Sequence, residues 1–177
     1  MKFRFCSILF LLVLLIGCAP AKKVKSWTSI PPVQKGENRY VNAWLEPQKR
    51  DKKFFVSFRL SIKNKTDKEL KIDWNKTRYL HKGKPYGVFA FKGIDPATIK
   101  DQSIPSDSIA PGDTFSKEIF PANLIAFTPM REEVLDKKGK GLYPGPIPAG
   151  KNGIYLVVWQ GGEEVHTELT VNIAGNP

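Results

Sequence analysis

The stretch FFVSFRLSIKN, residues 54–64, places Phe54, Val56, Phe58, Leu60 and Ile62 on one side of an extended chain. Phe55, Ser57, Arg59, Ser61 and Lys63 fall on the other. Successive side chains of a strand leave opposite faces, so a repeat of two predicts a strand with one face on a core and the other toward water. Half-covered strands of this kind belong to antiparallel sheets. Polar turn material, NKTDKE at 64–69, follows, and LKIDW resumes with Leu70, Ile72 and Trp74 on one face. The pair reads as a hairpin or as a corner where the chain changes sheets.

The same rhythm extends in both directions. Upstream, YVNAWLE (40–46) alternates through Val41, Ala43 and Leu45. Downstream come GVFAF (87–91), a polar loop ending in the turn-like APGD (110–113), and DTFSKEIF (113–120). At the carboxyl end GIYLVVWQ (153–160), Gly161-Gly162 and EEVHTELTVNI (163–173) make a hairpin. Its second arm aligns Val165, Thr167, Leu169, Val171 and Ile173 against His166, Glu168, Thr170 and Asn172. Its first arm barely alternates, as expected of a strand covered on both sides. About seven short strands separated by turn signals match the sandwich pattern. The rhythm resembles that of immunoglobulin-like domains, without their cysteine pair. The expected fold is all-β, an immunoglobulin-like antiparallel β-sandwich over residues 39–175, with a small β-barrel as the alternative.

Residues 121–150, PANLIAFTPMREEVLDKKGKGLYPGPIPAG, are too long for a hairpin loop. Thr128 as cap and Pro129 in the first helical position predict a short helix to about Lys137. Long excursions in compact domains are often functional. Lys137, Lys138, Lys140 and Tyr143 are then the candidate partner surface. The other reading is a crossover between sheets in which Leu142 and Tyr143 cover the core.

The amino terminus gives an address. Met1-Lys2-Phe3-Arg4 is basic, and an apolar run from Phe5 to Ile16 follows. Twelve helical residues reach about 18 Å, short of the roughly 30 Å of a hydrocarbon core. The run therefore reads as the core of an export signal. Leu15-Ile16-Gly17-Cys18 resembles the lipobox of bacterial lipoproteins. That resemblance implies a signal peptide at 1–17 cut before Cys18, a diacylglycerol on the thiol and, usually, a further acyl chain on the new amino group. An ordinary cleaved signal with a chance cysteine is the alternative. In a host with two membranes, Ala19 rather than an aspartate after the cysteine implies the outer membrane, facing the periplasm. In a host with one, the domain stands on the outer face of the cell membrane.

The chain has two cysteines. Cys6 leaves with the signal and Cys18 carries lipid, so the body is expected to lack disulfides, zinc–thiolate sites and cysteine nucleophiles. Removal of Lys2 and Arg4 leaves 28 − 2 = 26 basic against 17 acidic residues, turning a net charge of +11 into +9. No nucleic-acid motif accompanies that charge. An exported basic protein meets anionic headgroups, an envelope protein or an anionic polymer instead. Residues 18–38 are rich in proline, lysine and small polar side chains and read as a flexible tether averaging roughly 25 Å. That length holds the body's charge beyond a Debye length of about 8 Å. Lys22, Lys23 and Lys25 lie beside the lipid and are candidate headgroup contacts. Trp27 either enters the interface or docks on the body.

Residue types for catalysis are sparse. There are two histidines. His166 faces outward on its strand, and His81 sits in a basic turn with no carboxylate nearby in sequence. No G-x-S-x-G elbow, S-x-x-K motif, paired zinc ligands or calcium loop is present. GKGLYPG (139–145) lacks P-loop spacing. Glu163 and Glu164 face opposite ways on a strand. Asp73, which interrupts KIDWN, either binds a turn amide or lies on a lysine-lined surface. The expected protein is a non-catalytic, lipid-anchored binding or assembly module with no cofactor or metal. The alternatives are an envelope hydrolase using Asp73 or His81 and a mainly structural lipoprotein.

Overall fold

The computed structural model describes residues 26–50, 53–126 and 143–176. Its strands are β1 (Ser26–Ile30), β2 (Gln34–Glu37), β3 (Val41–Arg50), β4 (Phe54–Asn64), β5 (Leu70–Ile72), β6 (Arg78–His81) and β7 (Lys84–Gly87). They continue as β8 (Phe89–Phe91), β9 (Asp107–Ile109), β10 (Thr114–Pro121), β11 (Ile125–Ala126), β12 (Tyr143–Pro144), β13 (Gly150–Gln160) and β14 (Glu163–Asn176). One short helix, α1 (Pro96–Lys100), interrupts the polar loop between β8 and β9. Asp95 caps it by accepting a bond from the Ala97 amide, and Pro96 stands in its first turn, where a missing N–H costs nothing.

All described pairings between strands are antiparallel. One sheet runs β2-β3-β4-β10-β8. The other runs β1-β14-β13-β5-β9, with β6 continuing the line of β5 along β13 and β7 folded back on β6. Reading β3, β4, β5 with β6, β8, β10, β13 and β14 as strands A to G gives the orders A-B-E-D and G-F-C. This is the strand order of a constant-type immunoglobulin domain. The sheets remain separate and open-edged rather than closing into a barrel. Residues 64–69 form a corner rather than a hairpin, since β4 and β5 lie in different sheets. Asn64, fully buried, holds that corner: its Nδ2 donates to the carbonyls of Lys68, Ile109 and Ala110, and its Oδ1 accepts from Thr66.

Between the sheets lie Val41, Ala43 and Leu45 of β3, Leu70 and Ile72 of β5, and Ile154, Leu156 and Val158 of β13. Leu169, Val171 and Ile173 of β14 pack with them. Trp74, two residues past β5, is the largest fully buried side chain among the described residues, and its indole N–H donates to Asp107 over 2.7 Å. In β4 the expected alternation holds for Phe58, Leu60 and Ile62 but reverses above them. The register skips a residue opposite Gln48 and Lys49, so Phe55 rather than Phe54 or Val56 joins the core. A β-bulge inserts one residue and thereby exchanges the faces of everything beyond it. Lys117 points inward from β10. Its ammonium pairs with Asp107 and lies 4.0 Å from the Phe91 ring centroid, so the open flank is closed by a cation against aromatic faces.

The sequence predicts a flexible tether to residue 38, but strand structure begins at Ser26. β1 pairs with the carboxyl end of β14, Ser26 opposite Asn176, and β2 pairs with β3. Polar composition masks these two because they are edge strands, where the ladder of backbone hydrogen bonds and not side-chain burial holds the chain. Trp27 packs against the core cluster. The register also fixes two ends. One carries Ser26, Asn176, the β3–β4 connection, the β6–β7 turn and Gly150; the Ile147 amide bonds the Phe55 carbonyl there, joining the two sheets. The other carries the Gly161-Gly162 turn, residues 38–40 and the 64–69 corner.

Candidate functional site

Core-facing Ile154, Leu156 and Val158 force Tyr155, Val157 and Trp159 onto the outer face of β13. On β14, Glu164, His166 and Glu168 share that face. The turn Gly161-Gly162 has φ of 58° and 89°, the doubly positive pair of a type I′ hairpin. It fixes the register, so Trp159 lies opposite Glu164, Val157 opposite His166 and Tyr155 opposite Glu168.

On the other side of β13 the C strand breaks between β5 and β6, and turn 73–77 fills the gap. The Asp73 amide donates to the Val157 carbonyl over 3.0 Å, and the Val157 amide donates to Thr77 Oγ1 over 3.1 Å. The ladder is therefore continued by a turn amide and a hydroxyl. Val157 ends up buried on the outward side, so the expected double coverage of this arm holds at that point while Tyr155 and Trp159 stay half-exposed.

Asp73 performs the turn-binding role anticipated for it. One carboxylate oxygen accepts the Lys76 amide over 3.0 Å, and the other accepts the Trp159 indole N–H over 3.1 Å. Lys76 then lies over that indole, 4.7 Å from its centroid, and pairs with Glu164. Its hydrogen bond to Glu164 holds the Lys76 ammonium above its ordinary pKa. Across the strands Tyr155 and His166 stack at 5.2 Å with planes 22° apart, and His166 Nε2 is 3.4 Å from Glu164. The outer G-F-C face thus carries three rings in two fixed positions, edged by Lys71, Lys76, Arg78, Glu164 and Glu168. Rigid, half-exposed Trp and Tyr rings lose little side-chain entropy on contact, which suits them to recognition.

The hydrolase candidates do not converge. His81 faces Asn152 and Asp73 bonds Val157, partners 157 − 152 = 5 residues apart on β13, or about 17 Å at the strand rise. His81 Nδ1 is 3.2 Å from Asn152 Oδ1. Glu163 and Glu164 diverge as expected: Glu163 meets Arg39 and Tyr40, and Glu164 meets Lys76 and His166. The Tyr40 hydroxyl donates to Glu163, which lowers the carboxyl's pKa, with Arg39 adding to the effect.

Tyr143 is half-buried in β12, with the Arg50 guanidinium 6.0 Å from its ring centroid. Lys137, Lys138 and Lys140, the 128–137 helix, Cys18, Lys22, Lys23 and Lys25 lie outside the described residues. Sequence reading misses Tyr155 and Trp159 because their inward neighbours are equally apolar. The two-residue turn supplies the missing signal, since it pairs Trp159 with outward Glu164.

Among the described residues no group of three or more His, Cys, Asp or Glu side chains is placed to hold a metal ion. No described helix is long and apolar enough to cross a membrane. No protein-family model, curated protein or solved structure matches the chain.

Proposed function

We propose that this protein is a lipid-anchored binding module of a bacterial cell envelope, attached through Cys18 and contacting a protein partner with its outer G-F-C face. The lipobox-like ending of the signal supports the anchor, with Lys22, Lys23 and Lys25 beside the headgroups. The exported location follows from the same segment. The observation that carries the binding reading is the fixed aromatic surface: Trp159 held by Asp73 and Lys76, beside the stacked Tyr155 and His166.

Such a surface offers contact area and oriented polar groups. Carboxylate and imidazole in it are engaged in holding the rings, with Asp73 satisfied by an amide and an indole. The role is therefore recognition rather than bond making.

Photo-crosslinking in intact cells tests it. A crosslinker replacing exposed Glu168 is expected to yield a discrete adduct that the same group at Arg59, on the outer face of the opposite sheet, does not. Equal labelling from both positions, or none, refutes the assignment of this face. Mass measurement of the chain purified from membranes reports separately whether Cys18 is the acylated first residue.

A further inference from the structure

The two ends of the sandwich differ in charge. The end with Ser26 and Asn176 carries Lys49, Arg50 and Lys53 at the β3–β4 connection, Lys82 and Lys84 at the β6–β7 turn, and Lys151 at the start of β13. All but half-buried Arg50 are exposed. Among the described residues of those turns there is no carboxylate; Glu168, 3.9 Å from Lys151, lies farther down β14. Outside the described residues, Asp51 and Lys52 are one of each sign, and 127–142, which joins strands at this same end, carries Arg131, Lys137, Lys138 and Lys140 against Glu132, Glu133 and Asp136. The opposite end mixes Arg39, Lys65 and Lys68 with Asp67, Glu69, Asp113 and Glu163, several of them in ion pairs.

We infer that the basic end is a docking surface for anionic phospholipid, and that it sets the orientation of the domain on its membrane. The inference rests on the proposed anchor for the membrane's position, and on the charges alone for the contact. Reach decides which end can touch. From Cys18 to Ser26 there are 26 − 18 = 8 residue steps, at most about 29 Å of chain. β13 has eleven residues, so the sandwich is about 36 Å long at the strand rise. The end opposite Ser26 therefore cannot swing down onto the bilayer, whereas the basic end can. The shorter link also revises the separation expected of a tether to residue 38. Ser26 lies within about 29 Å of the lipid, so an exposed lysine of the basic end can enter the screened layer of about 8 Å. In that orientation the aromatic G-F-C face stands upright, clear of the lipid.

The test uses the full chain purified from membranes, placed on phosphatidylcholine vesicles with or without phosphatidylglycerol and bearing a headgroup quencher. A fluorescent side chain replaces Ala149 at the basic end or Asp67 at the other. Quenching is expected at 149 and not at 67, only with phosphatidylglycerol, and is abolished by high salt. Each lysine at an anionic surface contributes about fivefold, so replacing Lys49, Lys53 and Lys84 by Gln together should lower the docked-to-undocked ratio about a hundredfold. Lys68→Glu should leave it unchanged.

Quenching at 149 that ignores phosphatidylglycerol and salt, or equal quenching at 67, overturns the inference. So does preferential binding of this end to a soluble anionic polymer. The salt series on the unsubstituted chain decides between these outcomes even where the triple variant fails to fold. Mass measurement of the same preparation reports the acyl groups, so a missing anchor and a missing dock are separate results; an unacylated chain is added to the same vesicles from solution and judged by the same salt and lipid dependence.

Discussion

Asn152→Ala removes the knot that ties the carboxyl-terminal strands to the long return before them. Asn152 is fully buried. Its Nδ2 donates to the carbonyls of Pro148 and Gly150, both over 2.8 Å, and its Oδ1 accepts from the Tyr79 hydroxyl and His81 Nδ1. The two carbonyls fix which way the amide points, so His81 carries its proton on Nδ1.

Truncation strands the fully buried Tyr79 hydroxyl, a cost of about 1–3 kcal/mol, while each half-exposed carbonyl forfeits a net bond of about 0.5–1.5 kcal/mol. His81 is part-exposed and turns to water at little cost. The sum is about 2–6 kcal/mol, a large share of the roughly 5–15 kcal/mol that holds a domain together. Urea unfolding followed by tryptophan fluorescence measures it, with an unchanged slope marking a true stability change. In a Tyr79→Phe background the stranded hydroxyl is gone, so the same substitution should cost about 1–3 kcal/mol less. A single-variant loss below about 1 kcal/mol, or strict additivity of the two, would refute the knot.

Three further outcomes are expected. Gly153→Ala puts a methyl carbon 2.2 Å from the Leu169 carbonyl oxygen in the middle of the β13–β14 ladder; a loss of about 3 kcal/mol in urea unfolding is expected, and a neutral result contradicts the register. Tyr40→Phe removes the main cause of the lowered Glu163 pKa, so the carboxyl midpoint followed by NMR should rise toward its ordinary value. Because that carboxyl is depressed in the folded state, its small contribution is present above the ordinary glutamate pKa and fades as pH falls through the lowered one. Burial raises the Tyr79 pKa well above its ordinary value. Stability from that phenol is fully present below about pH 10 and declines as pH rises beyond it, and in an alkaline absorbance titration Tyr79 should ionise only with unfolding.

The sandwich is legible in the sequence where one face of a strand is apolar and the other polar, as in β3, the lower part of β4, and β14. It is illegible in three physical circumstances. Edge strands β1 and β2 bury little, so no period marks them. The bulge in β4 exchanges the faces of Phe54, Phe55 and Val56, which a period of two cannot anticipate without the partner strand. In β13 both faces are apolar, so the outward rings are hidden among inward aliphatics until the hairpin register separates them. The β6–β7 hairpin looks like a basic turn because its Lys82-Gly83 tip dominates the composition and masks the fully buried Tyr79 beside it. Asp73 stands out in the sequence for a sound reason: an acid between Ile72 and buried Trp74 has to find donors, and it finds the Lys76 amide and the Trp159 indole.

In the proposed partner contact on the outer G-F-C face, Trp159 is the anchor. The most direct measurement is the affinity of the crosslinked partner, once recovered, for the wild-type chain and for Trp159→Ala, with unfolding curves run alongside to confirm that the variant is folded. A central aromatic anchor costs about 2 kcal/mol or more when truncated, so the dissociation constant should rise at least about thirtyfold. An unchanged affinity in a folded Trp159→Ala protein would rule out this face as the partner contact.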